Sequence, residues 1–183
     1  SQSVRIEMQV GRAPEFIRYI AAMIRETCGE HDLALHEDNL LRRYHRVERG
    51  LIRVEADEVT YASHVILRYQ LEREIISGEL LPADLPSAWR EGMRKFVGVE
   101  PPDDREGCLQ DIHWYDGTFG YFPTYTLGAI YAAQLSAEAK RQMPSLGNEI
   151  TKGKFTKLLE WLRHNIHQKG SLYTVSYTHL RDH

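Results

Sequence analysis

Few of the features that mark special classes of protein occur in this sequence. Its 183 residues include only two cysteines, Cys28 and Cys108, without a C-x-x-C spacing. Two thiols are too few for a disulfide framework, so we expect both to be reduced. No apolar run approaches the ~20 residues that cross a bilayer, and no signal-peptide pattern opens the chain. We therefore expect a cytoplasmic protein without a membrane partner.

An excess of charge of either sign is also missing. The formal net charge is -3, and basic residues occur singly or in short runs that acids balance. This pattern predicts that the protein has no nucleic-acid partner. The sequence contains no H-E-x-x-H, no G-x-S-x-G elbow and no P-loop lysine motif, so the common hydrolase and nucleotide-binding signatures are absent as well.

The sequence does have helical periodicity over most of its length. Apolar residues recur at steps of three and four, and glycines stand just past several of these stretches. The spacing predicts helices over residues 14–28, 40–49, 56–76, 84–98, 126–139 and 155–167. Residues 51–54, LIRV, are too few for a helix and predict a strand or an extended edge. We therefore predict one all-α domain with room for one small β-hairpin.

Four polar side chains share one face of the longest predicted helix. Asp57, Tyr61, His64 and Arg68 follow one another at steps of four, three and four. A solvated face with an internal ion pair explains such a stripe, and so does the wall of a binding groove. The sequence alone leaves both explanations open.

Arg53 stands just before this helix and is a candidate for carboxylate recognition. A guanidinium group offers parallel N–H donors that match a carboxylate in two hydrogen bonds. A surface ion pair with Glu55 or Asp57 is the alternative that residue type alone favours.

The densest group of polar and aromatic residues lies between residues 110 and 125. It includes Gln110, Asp111, His113, Tyr121 and Tyr125, with glycines that let a loop approach a substrate closely. A carboxylate two residues from a histidine can fix its tautomer, and tyrosine hydroxyls can donate to a developing oxyanion. Packing of an aromatic loop onto helices, with His113 in the core, explains the same composition equally well.

Three segments of the sequence resemble a known enzyme family, both in their residues and in their order along the chain. They are IRVEADEVTY, SHVILRYQLE and GCLQDIHWYDGTFGYFPTYTLGAIYAAQ, and they resemble the carboxypeptidase Taq family of zinc metallocarboxypeptidases. The resemblance implies that residues 1–174 are the C-terminal part of a helical, zincin-like catalytic domain. Residues 175–183 are expected to be a non-native tail, because VSYTHLR resembles a translated sequencing adaptor.

The resemblance also implies a reaction. The family removes single residues from a peptide C-terminus with a zinc ion, which an H-E-x-x-H helix and a glutamate in a later motif hold. This chain starts at SQS, which in the family follows that glutamate immediately. We therefore expect these residues to contain no metal ligand, to bind no zinc and to be inactive alone. The intact enzyme is expected to bind zinc, to include the missing N-terminal part and to form a homodimer.

The same resemblance implies roles for individual residues. We expect His113, Tyr121 and Tyr125 to be catalytic, by stabilising the oxyanion. The substrate, a peptide with a free C-terminus, is expected to contact Arg53, Gln110, Asp111, Tyr61, His64 and Arg68. A non-catalytic helical interaction module that keeps the fold is the alternative function.

Overall fold

The computed structural model describes residues 2–29 and 33–170 as helices joined by loops. The α-helices are α1 (Gln2–Val4), α2 (Pro14–Cys28), α3 (Glu37–Tyr44), α4 (Tyr61–Ser77), α5 (Leu85–Phe96), α6 (Pro123–Gln142), α7 (Leu146–Thr151) and α8 (Thr156–Leu162). Segments of π-helix continue α1 at Arg5–Gly11 and α8 at Arg163–His167, and 3₁₀ turns lie at Leu33–Leu35, Arg53–Glu55 and Pro82–Asp84. No strand occurs among these residues, so the all-α prediction is confirmed. The predicted tail at 175–183 lies outside the described residues.

Signals in the sequence account for two of the helix boundaries. α2 begins at Pro14, where the missing N–H costs no helical hydrogen bond, and Gly29 follows the helix with a φ of 100°. α4 ends at Ser77, and Gly78 follows it in the left-handed region with a φ of 81°. Both glycines take backbone angles that a residue with a Cβ adopts only with strain.

Residues 51–54 do not form the predicted strand, and no β-hairpin exists within the described ranges. Ile52 is extended, but Arg53–Glu55 turn into a short 3₁₀ helix. The reason is a tertiary contact, because the backbone N–H of Arg53 donates to Oε1 of Gln110 at 2.9 Å rather than to a neighbouring strand.

The bounds of two predicted helices differ clearly in the structure. α3 covers Glu37–Tyr44 rather than 40–49, and after its end the backbone N–H of Glu48 donates to Oδ2 of Asp57 at 2.9 Å instead of to a helical carbonyl. α4 begins at Tyr61 rather than near residue 56. Asp57 accepts the backbone N–H of Thr60, the residue before the helix, at 3.0 Å and so fixes the turn that leads into α4.

Many of the buried apolar side chains in the described ranges belong to two clusters. One lies between α4 and α5 around Leu67, Trp89 and Met93, none of which is more than 1% exposed. The helices approach closely there, because a Cβ on Gly92 would lie 2.1 Å from Cδ1 of Leu67. The other cluster joins the Arg5–Gly11 segment to α6, α7 and α8. Since α4 packs against both α5 and α6, it lies beside the long loop that connects them, residues 97–122.

α4 is apolar on more than one side. Val65 and Leu71 are buried, but Ile66 and Tyr69 are 44% and 43% exposed. α6 similarly exposes Leu127 and Ile130. In the described ranges, no helix combines the length and the apolar character needed to cross a membrane.

Candidate functional site

Asp111 lies between two arginines from different parts of the chain. Its Oδ1 atom accepts hydrogen bonds from Nε and Nη2 of Arg53, at 3.0 and 2.6 Å. Its Oδ2 atom accepts one from Nε of Arg68, at 2.5 Å. The side chains of Arg53, Arg68 and Asp111 are 6%, 0% and 10% exposed. Arg53 is therefore in a buried ion cluster, and the alternative of a surface pair with Glu55 or Asp57 is wrong.

Gln110 attaches this cluster to the backbone. Its Oε1 atom accepts hydrogen bonds from Nη2 of Arg68, at 2.8 Å, and from the backbone N–H of Arg53, at 2.9 Å. Its Nε2 atom donates to three backbone carbonyls, one before α4 and two in the long loop, at 3.1, 2.9 and 3.1 Å. These partners hold the amide in one orientation, so Gln110 fixes the loop against both arginines.

The charges of the cluster do not cancel. Two guanidinium groups face one carboxylate, which leaves one positive charge. Burial alone would raise the pKa of Asp111, but its hydrogen bond from Arg53 and the charge of Arg68 outweigh burial, so the pKa is lowered. Burial lowers the pKa of Arg68 to about 10 against the opposing effect of Asp111, so Arg68 stays charged at neutral pH. The cluster is therefore cationic.

His113 lies beside this cluster in a group of aromatic rings. Its Nε2 atom is 3.0 Å from the hydroxyl of Tyr125, within hydrogen-bond distance. Its Nδ1 atom is 3.9 Å from Oδ1 of Asp111, too far for the hydrogen bond that would fix the tautomer. The His113 ring centroid lies 5.5 Å from that of Tyr121 and 4.5 Å from that of Phe122. The structure thus brings together the three residues for which a catalytic part was predicted.

Tyr61 connects the cationic cluster to the aromatic group. Its hydroxyl accepts a hydrogen bond from Nη1 of Arg53 at 2.9 Å, and its ring meets that of Tyr125 edge-on at 6.3 Å. The guanidinium carbon of Arg53 lies 5.1 Å from the Tyr125 ring centroid, within the range of a cation–π contact. Burial raises the pKa of Tyr125, so its hydroxyl keeps its proton at neutral pH.

The polar stripe predicted on one helix face is divided in the structure. Asp57 precedes α4, whereas His64 and Arg68 are 0% exposed, so a solvated face is the wrong explanation for these two. No hydrogen bond of ordinary geometry reaches the ring nitrogens of His64 from the described residues, although the Gly50 backbone is near enough to affect its pKa. Burial, and then the charge of Arg68, lower the pKa of His64 to about 4, so the ring is neutral at pH 7.

Sequence reasoning missed Glu72, which lies one turn beyond Arg68 on α4. Its Oε2 atom accepts a hydrogen bond from Nε1 of Trp114 at 2.8 Å, and its Oε1 atom accepts one from the backbone N–H of Gly120. The residue is only 5% exposed. Glu72 continues the stripe of Tyr61 and Arg68 by another step of four, and this spacing was the signal that could have identified it.

The described residues do not fit a metal site. Within 2–29 and 33–170, no group of three or more His, Cys, Asp or Glu side chains is placed to hold an ion. The buried carboxylate of Asp111 is already paired with two arginines, whose charges oppose a bound cation.

Fold and site together define an all-helical protein with a cationic, hydroxyl-lined site of the kind that binds an anionic group. The sequence matches the family described as carboxypeptidase Taq (M32) metallopeptidase over residues 1–180. The chain belongs to this family, and the resemblance found in its three segments is confirmed.

Named relatives and solved structures agree with this assignment. Thermostable carboxypeptidase 1 of Thermus thermophilus is 43% identical over 174 residues, which are 94% of this chain and 34% of that protein. Carboxypeptidase 1 of Bacillus subtilis is 38% identical over 93% of this chain and 34% of its own length. The structure of metallocarboxypeptidase 1 of Trypanosoma cruzi superposes with a TM-score of 0.91 at 40% identity, covering 97% of this chain and 37% of that one. The chain therefore spans about a third of the length of these relatives.

Proposed function

We propose that this chain forms the substrate-binding and oxyanion-stabilising part of a zinc metallocarboxypeptidase, which releases C-terminal residues from peptides. Family membership and the named carboxypeptidase relatives support the class of reaction. The observation that carries the proposal is the positive charge left on the cluster of Arg53, Arg68 and Asp111, because every substrate of a carboxypeptidase ends in a carboxylate. Nothing among the described residues favours a non-catalytic interaction module.

Arg53 is the arginine that would touch the peptide. A guanidinium group has five N–H donors, and the bonds to Asp111 and Tyr61 use one on each of Nε, Nη1 and Nη2. One N–H remains on each of Nη1 and Nη2, and these two can donate to a terminal carboxylate. Arg68 is wholly buried and would instead hold Asp111 and Gln110 in place, with His64 packed beside it.

His113, Tyr121 and Tyr125 would act on the scissile peptide bond next to the bound carboxylate. A ring N–H or a phenol O–H placed there can donate to the oxygen that becomes negative in the tetrahedral intermediate. Tyr121, at 44% exposed, is open to solvent and so open to substrate. The zinc that this chemistry needs would be bound by other residues of the intact enzyme, which we propose to be a cytoplasmic homodimer with a further N-terminal part.

The replacement Arg53→Ala in the intact enzyme tests the carboxylate contact. We expect kcat/KM for a peptide with a free C-terminus to fall by about a hundredfold, because hydrogen bonds to a charged group contribute about 1.5–3 kcal/mol. Hydrolysis of the same peptide with an amidated C-terminus should change little. Arg53→Lys keeps the charge but loses the paired donors. Its kcat/KM for the free peptide should therefore lie between those of Arg53→Ala and wild type.

Arg46→Ala is the matched control, because Arg46 is exposed and pairs with Glu48 at the surface, at 2.9 Å. Circular dichroism shows whether each variant is folded. Equal losses of activity on the free and the amidated peptide would exclude Arg53 as the carboxylate contact.

A further inference from the structure

Glu72 holds the two residues that adjoin the predicted oxyanion donors. Trp114, which donates to Oε2 of Glu72, follows His113 directly in the sequence. Gly120, whose backbone N–H donates to Oε1, directly precedes Tyr121. We propose that Glu72 is a positioning residue, which sets the placement of His113 and Tyr121 for the chemical step without touching the peptide. This inference rests on the proposed function.

The segment between these two contacts is a compact turn. The backbone N–H of Thr118 donates to the carbonyl of His113 at 2.8 Å, and that of Gly117 donates to the carbonyl of Trp114 at 3.1 Å. The rings of Trp114 and Phe119 stack with centroids 6.5 Å apart. The turn therefore keeps its own shape, and its position relative to the helices depends on the contacts at its two ends.

Packing supports one end of the turn more than the other. The Trp114 ring meets the buried ring of Trp89 edge-on at 6.2 Å. Phe119 and Gly120, at the other end, border a cavity of about 760 Å³ that Glu72 also lines. This end of the turn borders open space. Its position therefore depends more on the hydrogen bond from Gly120 to Glu72 than it would in a filled core.

A carboxylate suits these two contacts better than any other side chain of its size. Each of its oxygens faces one N–H donor, and an ionised carboxylate only accepts. A glutamine in the same place would turn its NH₂ group toward one of the two donors. Glu72→Gln therefore keeps the volume of the side chain and loses one of the two hydrogen bonds.

α4 thus contacts the long loop at two places, and the two contacts have different roles. Arg68 holds Asp111 and Gln110, which belong to the carboxylate-binding side of the site. Glu72, one turn further, holds the side that carries His113 and Tyr121. We therefore expect changes at Glu72 to lower kcat with little effect on KM, whereas changes at Arg53 affect binding of the terminal carboxylate.

Steady-state kinetics of the intact enzyme with Glu72→Gln tests this inference. We expect kcat to fall between about tenfold and a hundredfold, because small displacements of catalytic groups have effects of this size. KM should change by less than about threefold, since no contact to the peptide is removed. Glu79→Gln is the matched control, because Glu79 is exposed and lines the same cavity, and both constants should stay within about twofold of wild type.

Hydrogen exchange measured by mass spectrometry gives a second readout that does not depend on activity. In Glu72→Gln, residues 112–122 should exchange at least about tenfold faster, while α5 exchanges as in wild type.

An unchanged kcat in Glu72→Gln would overturn the inference and leave the proposed function intact. A rise in KM that matches the fall in kcat, with faster exchange in α5 as well, would also overturn it by showing a general structural role. If the wild-type enzyme releases no C-terminal residue, the proposed function fails, and the positioning role fails with it.

Discussion

Arg5 is a buried cation without a matching anion in the described part of the chain. It is 1% exposed, and its Nε and Nη1 atoms have no hydrogen-bond partner there. Its guanidinium carbon lies 5.1 Å from the ring centroid of Trp161, and burial lowers the pKa of Arg5. Since a cation–π contact contributes only about 0.5–2 kcal/mol, it does not offset the loss of solvation of an unpaired charge.

We therefore expect Arg5→Met to raise the free energy of unfolding by about 1–3 kcal/mol. Methionine keeps the unbranched stem of arginine and removes the charge. Urea titration followed by circular dichroism measures the change. The control is Arg18→Met, at an exposed residue 3.9 Å from Glu37, which should change stability by less than about 0.5 kcal/mol. A lower unfolding midpoint in Arg5→Met would show that Arg5 has a stabilising partner.

The residue types of the site were predictable, but their pairings were not. The spacing of Tyr61, His64 and Arg68 indicated one helix face, and the composition of residues 110–125 indicated a special loop. That Asp111 bridges two arginines could not be read from the sequence, because Arg53 is 58 residues away along the chain. The spacing on α4 could have identified Glu72 itself, but not its partners Trp114 and Gly120, which lie more than forty residues further on.

At the scale of elements, Asp57 joins the segment after α3 to the start of α4. Its carboxylate accepts backbone N–H groups from Glu48, Val59 and Thr60, at 2.9, 2.8 and 3.0 Å. Burial opposes ionisation, but these hydrogen bonds together outweigh it and lower the pKa of Asp57 to about 2. The folded pKa therefore lies below that of the unfolded chain, which is about 3.9. The stabilisation is present above about pH 4 and is lost as the pH falls toward 2.

Asp57→Ala should lower the free energy of unfolding by about 1 kcal/mol at pH 7, because it removes the acceptor of three backbone N–H groups. The difference from wild type should shrink between pH 4 and pH 2, where protonation removes the same acceptor from the wild type. Urea titrations over this pH range measure it. Glu58→Ala, which removes a neighbouring carboxylate 3.8 Å from Arg12, is the control and should change the free energy of unfolding by less than about 0.5 kcal/mol at pH 7. A difference that stayed constant down to pH 2 would contradict this role of Asp57.

Helical periodicity and closing glycines were sufficient to predict the long elements and both ends of α2, but not the start of α4. α4 and α2 were identified from apolar spacing and closing glycines, which are local signals. The extended run at residues 51–54 failed as a strand because the partner of Arg53 is the side chain of Gln110, and a contact between distant residues leaves no local pattern.

Over the whole molecule, exposed apolar side chains occur at many places, and several of them lie on two helices that pack against each other. On α4, Ile66 and Ile76 are 44% and 68% exposed, and on α6, Leu127 and Ile130 are 48% and 47% exposed. Apolar patches of this kind mark surfaces that associate with other protein. The 183-residue chain alone should therefore form dimers or larger species as its concentration rises.

Sedimentation velocity over a range of concentrations measures this association. The double replacement Ile66→Lys with Ile130→Lys should weaken it at least about tenfold, because burial of one isoleucine contributes about 1.5–3 kcal/mol. Val47→Lys is the control, since Val47 is 56% exposed in the segment after α3. Association that is equally strong in the double variant would place the contact elsewhere on the surface.

The placement of Arg68 and Glu72 on successive turns of α4 also limits how this site could be rebuilt in another protein. A designer who grafts only residues 107–122 onto a different helical scaffold would move the histidine and the tyrosine without the groups that orient them. The smallest transferable unit is the loop together with one helical face that presents arginine and glutamate four residues apart. Changes in the loop length are consequently constrained by the rise of the helix, about 6 Å over four residues.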